Sequence, residues 1–299
     1  MAQKEVKGRI ASVKNIQKIT RAMEMIAAAR LRKAEQRVTR LRDYAGAVRR
    51  MTRQAAEAAG SIPNVPLLAE RDSENRVGII LFTGDRGLAG GFNSQIIRAG
   101  ARLARDLEAQ GKEVVFFASG RRGVSSLRFR GYEPEGAFEG FTDRPAYANA
   151  REMASAVMAA YVDGKVDRVE VIYNHFVSAM SQTVTRETLL PLKEASIMES
   201  GDGDRDGSAP TGHSALVEYE PGPDEILERL VPAYVEISIF RAMLESTASE
   251  HGARMTAMRN ASENASDIIA DLTLQMNRER QAEITQEIME VVAGAESLV

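Results

Sequence analysis

Few residues in this sequence could do chemistry, and their spacing decides what they could do. Residues 84–91 (GDRGLAGG) are glycine-rich, follow an apolar run and precede a helical pattern, which is where a phosphate cradle sits in nucleotide-binding folds. The segment lacks the GK[ST] ending of a phosphate-binding loop, and its glycines do not have the dinucleotide-fingerprint spacing. A tight strand-to-helix connection needing positive φ accounts for it better than a nucleotide does. The three histidines, His175, His213 and His251, are scattered, without a second ligand at metal-binding spacing. The chain has no cysteine, which excludes thiolate ligands, disulfides and a cysteine nucleophile. No Ser/His/Asp set or paired-carboxylate pocket emerges. We therefore expect no catalytic residue, no cofactor and no metal.

Periodicity defines the elements around these residues. From about residue 3 to 58 there is no proline, and apolar residues recur at Val6, Ile10, Val13, Ile16, Ile19, Met23 and Ile26. The series continues as a strict four–three alternation: Ala27, Leu31, Ala34, Val38, Leu41, Ala45, Val48. This is a coiled-coil seam, on a rod of about 80 Å if uninterrupted. Residues 59–75, with Gly60, Pro63 and Pro66, read as a linker. Strands are predicted over 76–83, 112–118, 168–176 and 182–190, and helices over 93–110, 121–129 and 145–162, with the last two strands as a hairpin through 178–181. Alternating strands and helices of this kind predict an α/β layer domain, 76–195, with a largely parallel sheet. Residues 196–223 are acidic and glycine-rich, a loop by composition. The final segment, 224–299, is assigned to the C-terminal coiled-coil helix, with helix returning from Pro232, read as a first-turn residue. Its apolar stripe is Ile237, Phe240, Leu244, Ala248, Met255, Met258, Ala261, Ala265, Ile268, Leu272, Ile284, Ile288 and Val291.

Charge supports pairing of the two ends. Residues 1–58 hold 15 Lys/Arg against 5 Asp/Glu, a net +10, whereas 232–299 hold 5 against 11, a net −6. The expected fold is therefore α/β plus a long antiparallel coiled coil, with a Rossmann-like domain between the paired terminal helices. The longer second helix should outrun its partner. A basic helix can also bind nucleic acid, but here Lys/Arg surround an apolar seam and no aromatic residues interleave for base stacking. No stretch approaches the ~18 apolar residues of a membrane span, and no signal peptide precedes the first helix. By default Met23 is a packing residue, and Arg254 and the 278–281 cluster are solvated helix positions. The weakly charged end, 291–299, is either a frayed terminus or an apolar pivot within a hydrophobic collar.

Three stretches resemble the gamma subunit of F-type ATP synthase: 9–34 (RIASVKNIQKITRAMEMIAAARLRKA), 83–93 (TGDRGLAGGFN), and 248–287 with ASEHGARMTAMRNASENA and RQAEITQE. The resemblance implies a non-catalytic central-stalk rotor that couples rotation of the membrane c-ring to conformational change at catalytic beta subunits. Its partners would be the alpha and beta subunits of the F1 head, the epsilon subunit and the c-ring. Membrane contact would be only indirect, and nucleic acid would play no part. Met23 matches the family methionine facing the beta-subunit lever, and Arg254 an arginine near the same zone. Gln281 and Thr285 match the polar pair that forms a catch with beta-subunit loops, and on the pivot reading of the end Val291 and Val292 would be further contacts with the alpha and beta subunits. The absence of an apparent transit peptide or dithiol insertion suggests a bacterial form on the cytoplasmic face of the plasma membrane. The acidic segment departs from the family pattern, and no contact is assigned to it. Two alternatives remain: a nucleotide-binding α/β enzyme with coiled-coil arms, and a coiled-coil adaptor or nucleic-acid binder.

Overall fold

The computed structural model describes residues 2–59, 66–68, 71, 73–192 and 222–296. The chain forms two compact units, one of Met1–Ala29 with Arg254–Val299 and one of Arg30–Ala253. Two helices contribute to both: α1 (Ala2–Ala59) and α5 (Pro223–Glu296). The helix thus starts at Pro223 rather than in the turn of Pro232, which lies inside it. Proline there removes one N–H, and the carbonyl that loses its donor belongs to Glu228, an exposed residue that water can reach.

The larger unit is built on a five-stranded sheet of order β3-β2-β1-β4-β5. Its strands are β1 (Arg76–Phe82), β2 (Glu113–Ser119), β3 (Gly136–Phe138), β4 (Arg168–Phe176) and β5 (Gln182–Leu190). β1 pairs in parallel with β2 and β4, and β2 with β3. β5 runs antiparallel to β4 in register Ile172↔Arg186, with an irregularity at Val169/Glu170. β3 was not expected; three residues carry too little periodicity to be recognised.

A central parallel strand is covered on both faces and reads as a continuous apolar run. In β1, Val77, Ile79 and Leu81 enter one core, and Ile80 and Phe82 the other. Helices α2 (Phe92–Ala109) and α3 (Arg121–Phe129) close the first core with Ile96, Leu103, Leu107, Val124 and Leu127. Helix α4 (Tyr147–Val162) and α5 close the second, through Met153 and Val157 and through Val231, Val235, Ile239 and Met243. Part of the expected linker packs here too: Leu67 is in the second core, and Glu74 Oε2 accepts from Arg168 and Lys112. Residues 60–65, 69, 70 and 72 of that linker, 193–195 at the end of the α/β domain, and 196–221 of the acidic segment lie outside the described residues.

Candidate partner-binding surface

In the smaller unit, the α1 and α5 stretches pair antiparallel, and three side-chain contacts fix the register. Gln17 Nε2 donates to Ser266 Oγ at 2.6 Å, the Thr20 and Ser262 hydroxyls lie 2.6 Å apart, and Arg259 Nε donates to Glu24 Oε1 at 2.9 Å. The α1 seam is Val6, Ile10, Val13, Gln17, Thr20, Glu24 and Ala27, each buried or half-buried. The α5 seam is Met258, Ser262, Ala265, Ile269, Leu272, Met276 and Glu279, again buried or half-buried. Both advance by alternating four and three residues, as a coiled coil requires.

This corrects the expected stripe in its middle. Ile16, Ile19 and Ile26 are exposed, as is Ile268 on α5. Seating the isoleucines would shift the seam by one residue, a rotation of about 100° that breaks the repeat. The repeat instead runs through polar residues that satisfy one another across the pair, which removes the penalty of burying them unpaired.

The seam ends at Glu279. Carried to Ala2, the first described residue of α1, the register reaches Gln281, and every residue from 280 to 293 is exposed. Among these are Ile284, Ile288, Met289, Val291 and Val292, the last two 72% and 50% exposed. An exposed apolar surface of this kind is one that a partner can cover. Of the other named positions, Gln281 and Thr285 are exposed on the same stretch, and the Thr285 hydroxyl donates to Gln281 O at 2.8 Å. Met23 is half-buried beside the seam. Arg254 is only 8% exposed and so is not a solvated helix position. The exposed Ile16, Ile19 and Ile26 add apolar surface that a helical stripe had assigned to the seam, and Met25 is exposed beside them.

The glycine-rich segment of the larger unit is a tight connection. Leu88 and Gly90 take φ of 61° and 54°. Asn93, in the first turn of α2, accepts from Gly84 N–H at 2.8 Å and donates to Arg86 O at 3.2 Å. The Asp85 carboxylate accepts from the N–H groups of Arg121, Gly140 and Thr142 and from the Thr142 hydroxyl, at 3.0 to 3.2 Å. It thereby takes the start of α3, a position suited to an external anion. Burial pushes this carboxyl up, but those donors outweigh it and hold it below the ordinary carboxylate range. Burial and the Glu236 carboxylate, 2.6 Å from its hydroxyl, push the Tyr147 phenol up to about 12. Both groups tie the fold together. Among the described residues, no group of three or more His, Cys, Asp or Glu could hold a metal.

A family model described as ATP synthase matches residues 2–298. The ATP synthase gamma chain of Rubrobacter xylanophilus is 41% identical over 295 residues, covering 99% of this chain and 98% of that one. The gamma chain of Frankia casuarinae is 41% identical over 299 residues, covering 99% and 97%. The central stalk and c-ring structure of the Tetrahymena thermophila mitochondrial ATP synthase contains a chain that matches with a TM-score of 0.60 at 26% identity, covering 82% of this chain and 99% of that one.

Proposed function

Because this chain belongs to the gamma-chain family of F-type ATP synthases, we propose that it is the central-stalk rotor of a proton-translocating enzyme. It couples rotation of the membrane c-ring to conformational change at catalytic beta subunits and performs no reaction itself. Its partners in this reading are the alpha and beta subunits of the head, the epsilon subunit and the c-ring, at the cytoplasmic face of a bacterial plasma membrane. No described helix is long and apolar enough to cross a membrane.

The observation that carries the reading is the end of the seam. Among the described residues, the two helices hold one register up to Glu279, and α5 is exposed from 280 to 293, with Ile284, Ile288, Met289, Val291 and Val292 on its surface. A rotor end turning inside a ring of stator subunits needs such a surface. Coupling requires each angular position to contact the three catalytic sites differently, since a conformational equilibrium shifts only by differential interaction. We assign the contacts with the alpha and beta subunits to Gln281, Thr285, Val291 and Val292, with Met23 and Arg254 nearer the paired region. Truncation from Arg280 tests this without disturbing the seam. The shortened chain should co-purify in one copy beside three each of the two larger subunits, with ATP synthesis reduced more than assembly. Normal synthesis by an assembled truncated complex would refute the assignment of 281–292.

A further inference from the structure

The α/β layer has the topology of a ligand-binding fold, yet its ligand crevice is filled from within. The chain leaves β1 in one direction, through α2, β2, α3 and β3, and returns on the other side as β4. In doubly wound sheets the crevice lies at the carboxyl ends of the strands flanking this reversal. Here those ends are Phe82–Gly84 after β1 and the end of β4 around Asn174 and His175. Every residue of α5 from Ala242 to Gly252 is buried there, on all sides of the helix. Six are polar: Glu245, Ser246, Thr247, Ser249, Glu250 and His251.

Four of them, Glu245, Ser246, Ser249 and Glu250, lie against the strand ends. Ser246 Oγ donates to Phe82 O at 3.3 Å, and Ser249 Oγ to Asn174 O at 2.9 Å. The Glu245 carboxylate meets His175 Nδ1. The Glu250 carboxylate lies where a Cβ on Gly84 would be 2.7 Å away, so any side chain at that position would push the carboxylate aside. Gly252 rests against the β4–β5 turn, its Cβ position 3.1 Å from Ala179 O. The space left, lined by Thr83, Thr142, Ser246, Thr247 and Glu250 among others, is a cavity of about 10 Å³, no larger than one water needs.

We propose that this crevice is the joint through which torque passes between the α/β layer and α5, with Glu245, Ser246, Ser249 and Glu250 as the positioning residues that lock the helix in it. The proposal rests on the rotor reading and locates its load-bearing contact. Apolar packing such as that of Val231, Val235 and Ile239 is non-directional and tolerates sliding. Side-chain hydrogen bonds to strand-end carbonyls are directional and resist rotation of the helix about its axis.

The test uses the assembled, membrane-reconstituted complex and measures ATP hydrolysis and ATP-driven proton pumping separately. In Ser246→Ala/Ser249→Ala, which removes both hydrogen bonds, and in Gly84→Val, hydrolysis should stay near wild type while protons pumped per ATP fall severalfold. Ala179→Cys with Gly252→Cys in the loosened background then supplies a covalent lock. The Gly252 Cβ position is 3.6 Å from Ala179 Cα, within disulfide reach, and the chain has no other cysteine. Oxidation should restore pumping, and reductant should abolish it again. An unchanged pumping ratio in the loosened variants would overturn the joint. So would a parallel loss of pumping and hydrolysis that the disulfide does not repair, since that is a general folding defect. Failure of the wild-type chain to support pumping at all would instead refute the rotor reading.

Discussion

Asp85 fills with its own carboxylate the position that an external anion would take at the start of α3, and this makes its charge a structural component of the fold. Four donors from two segments, the start of α3 and the stretch 140–142, converge on it and tie both to the loop after β1. Its pKa is lowered in the folded chain, so it contributes stability above the unfolded carboxyl value near 3.9, and that contribution is lost as pH falls through the lower folded value. Asp85→Asn should therefore cost roughly 1.5–3 kcal/mol at neutral pH, the range for hydrogen bonds to a charged group. The difference from wild type should shrink below about pH 4 in denaturant titrations. Had the segment been a nucleotide site, this carboxylate would repel the phosphate. Its role could not be read from the glycine spacing, because the donors at 121, 140 and 142 are distant in sequence.

The antiparallel pair shows how one residue of phase separates a seam from a surface. From Val6 to Val48 the four–three repeat on α1 never breaks, but Gln17, Thr20 and Glu24 occupy it in place of apolar residues. The hydrophobic pattern alone pointed to Ile16, Ile19 and Ile26, which are instead exposed. Replacing Thr20 by Val and Ser262 by Ala, singly and together, should yield a coupling energy of about 1 kcal/mol, read as amide-exchange protection across residues 10–27. Additive effects would mean that the hydroxyl contact does not hold the register. Elsewhere the elements were legible: α3, β4 and β5 have the bounds that their periodicity gives, because each is flanked by strong turn residues. The start of α5 was misplaced because Pro232 reads locally as an initiator, whereas buried Leu227 and Val231 continue the helix on its N-terminal side. The burial of Arg254 depends on tertiary packing that a single helix cannot reveal.

In the chain as a whole, charge is distributed more tellingly than it is summed. The net −3 conceals a first segment at +10, and on the face of α1 away from the seam Lys14, Lys18 and Arg21 are exposed. Such a surface steers an acidic partner and loses that effect as salt rises. Association with the head subunits should therefore slow as ionic strength increases. Changing Lys14, Lys18 and Arg21 to Gln should flatten that dependence in stopped-flow measurements, while thermal stability changes little, as for other surface substitutions. A salt dependence equal to wild type would place the contact elsewhere. The exposed face proposed for partner contact could be drawn only once the true seam was known, because one residue of phase decides which side chains it carries.

The four–three repeat has one mechanical corollary. A helix of 3.6 residues per turn that keeps a 3.5-residue seam must coil to the left around its partner. Twisting such a two-strand rope one way winds it tighter and presses Thr20 on Ser262; twisting it the other way unlays the strands and pulls them apart. Its spring constant is therefore handed, stiffer in one sense of rotation than in the other.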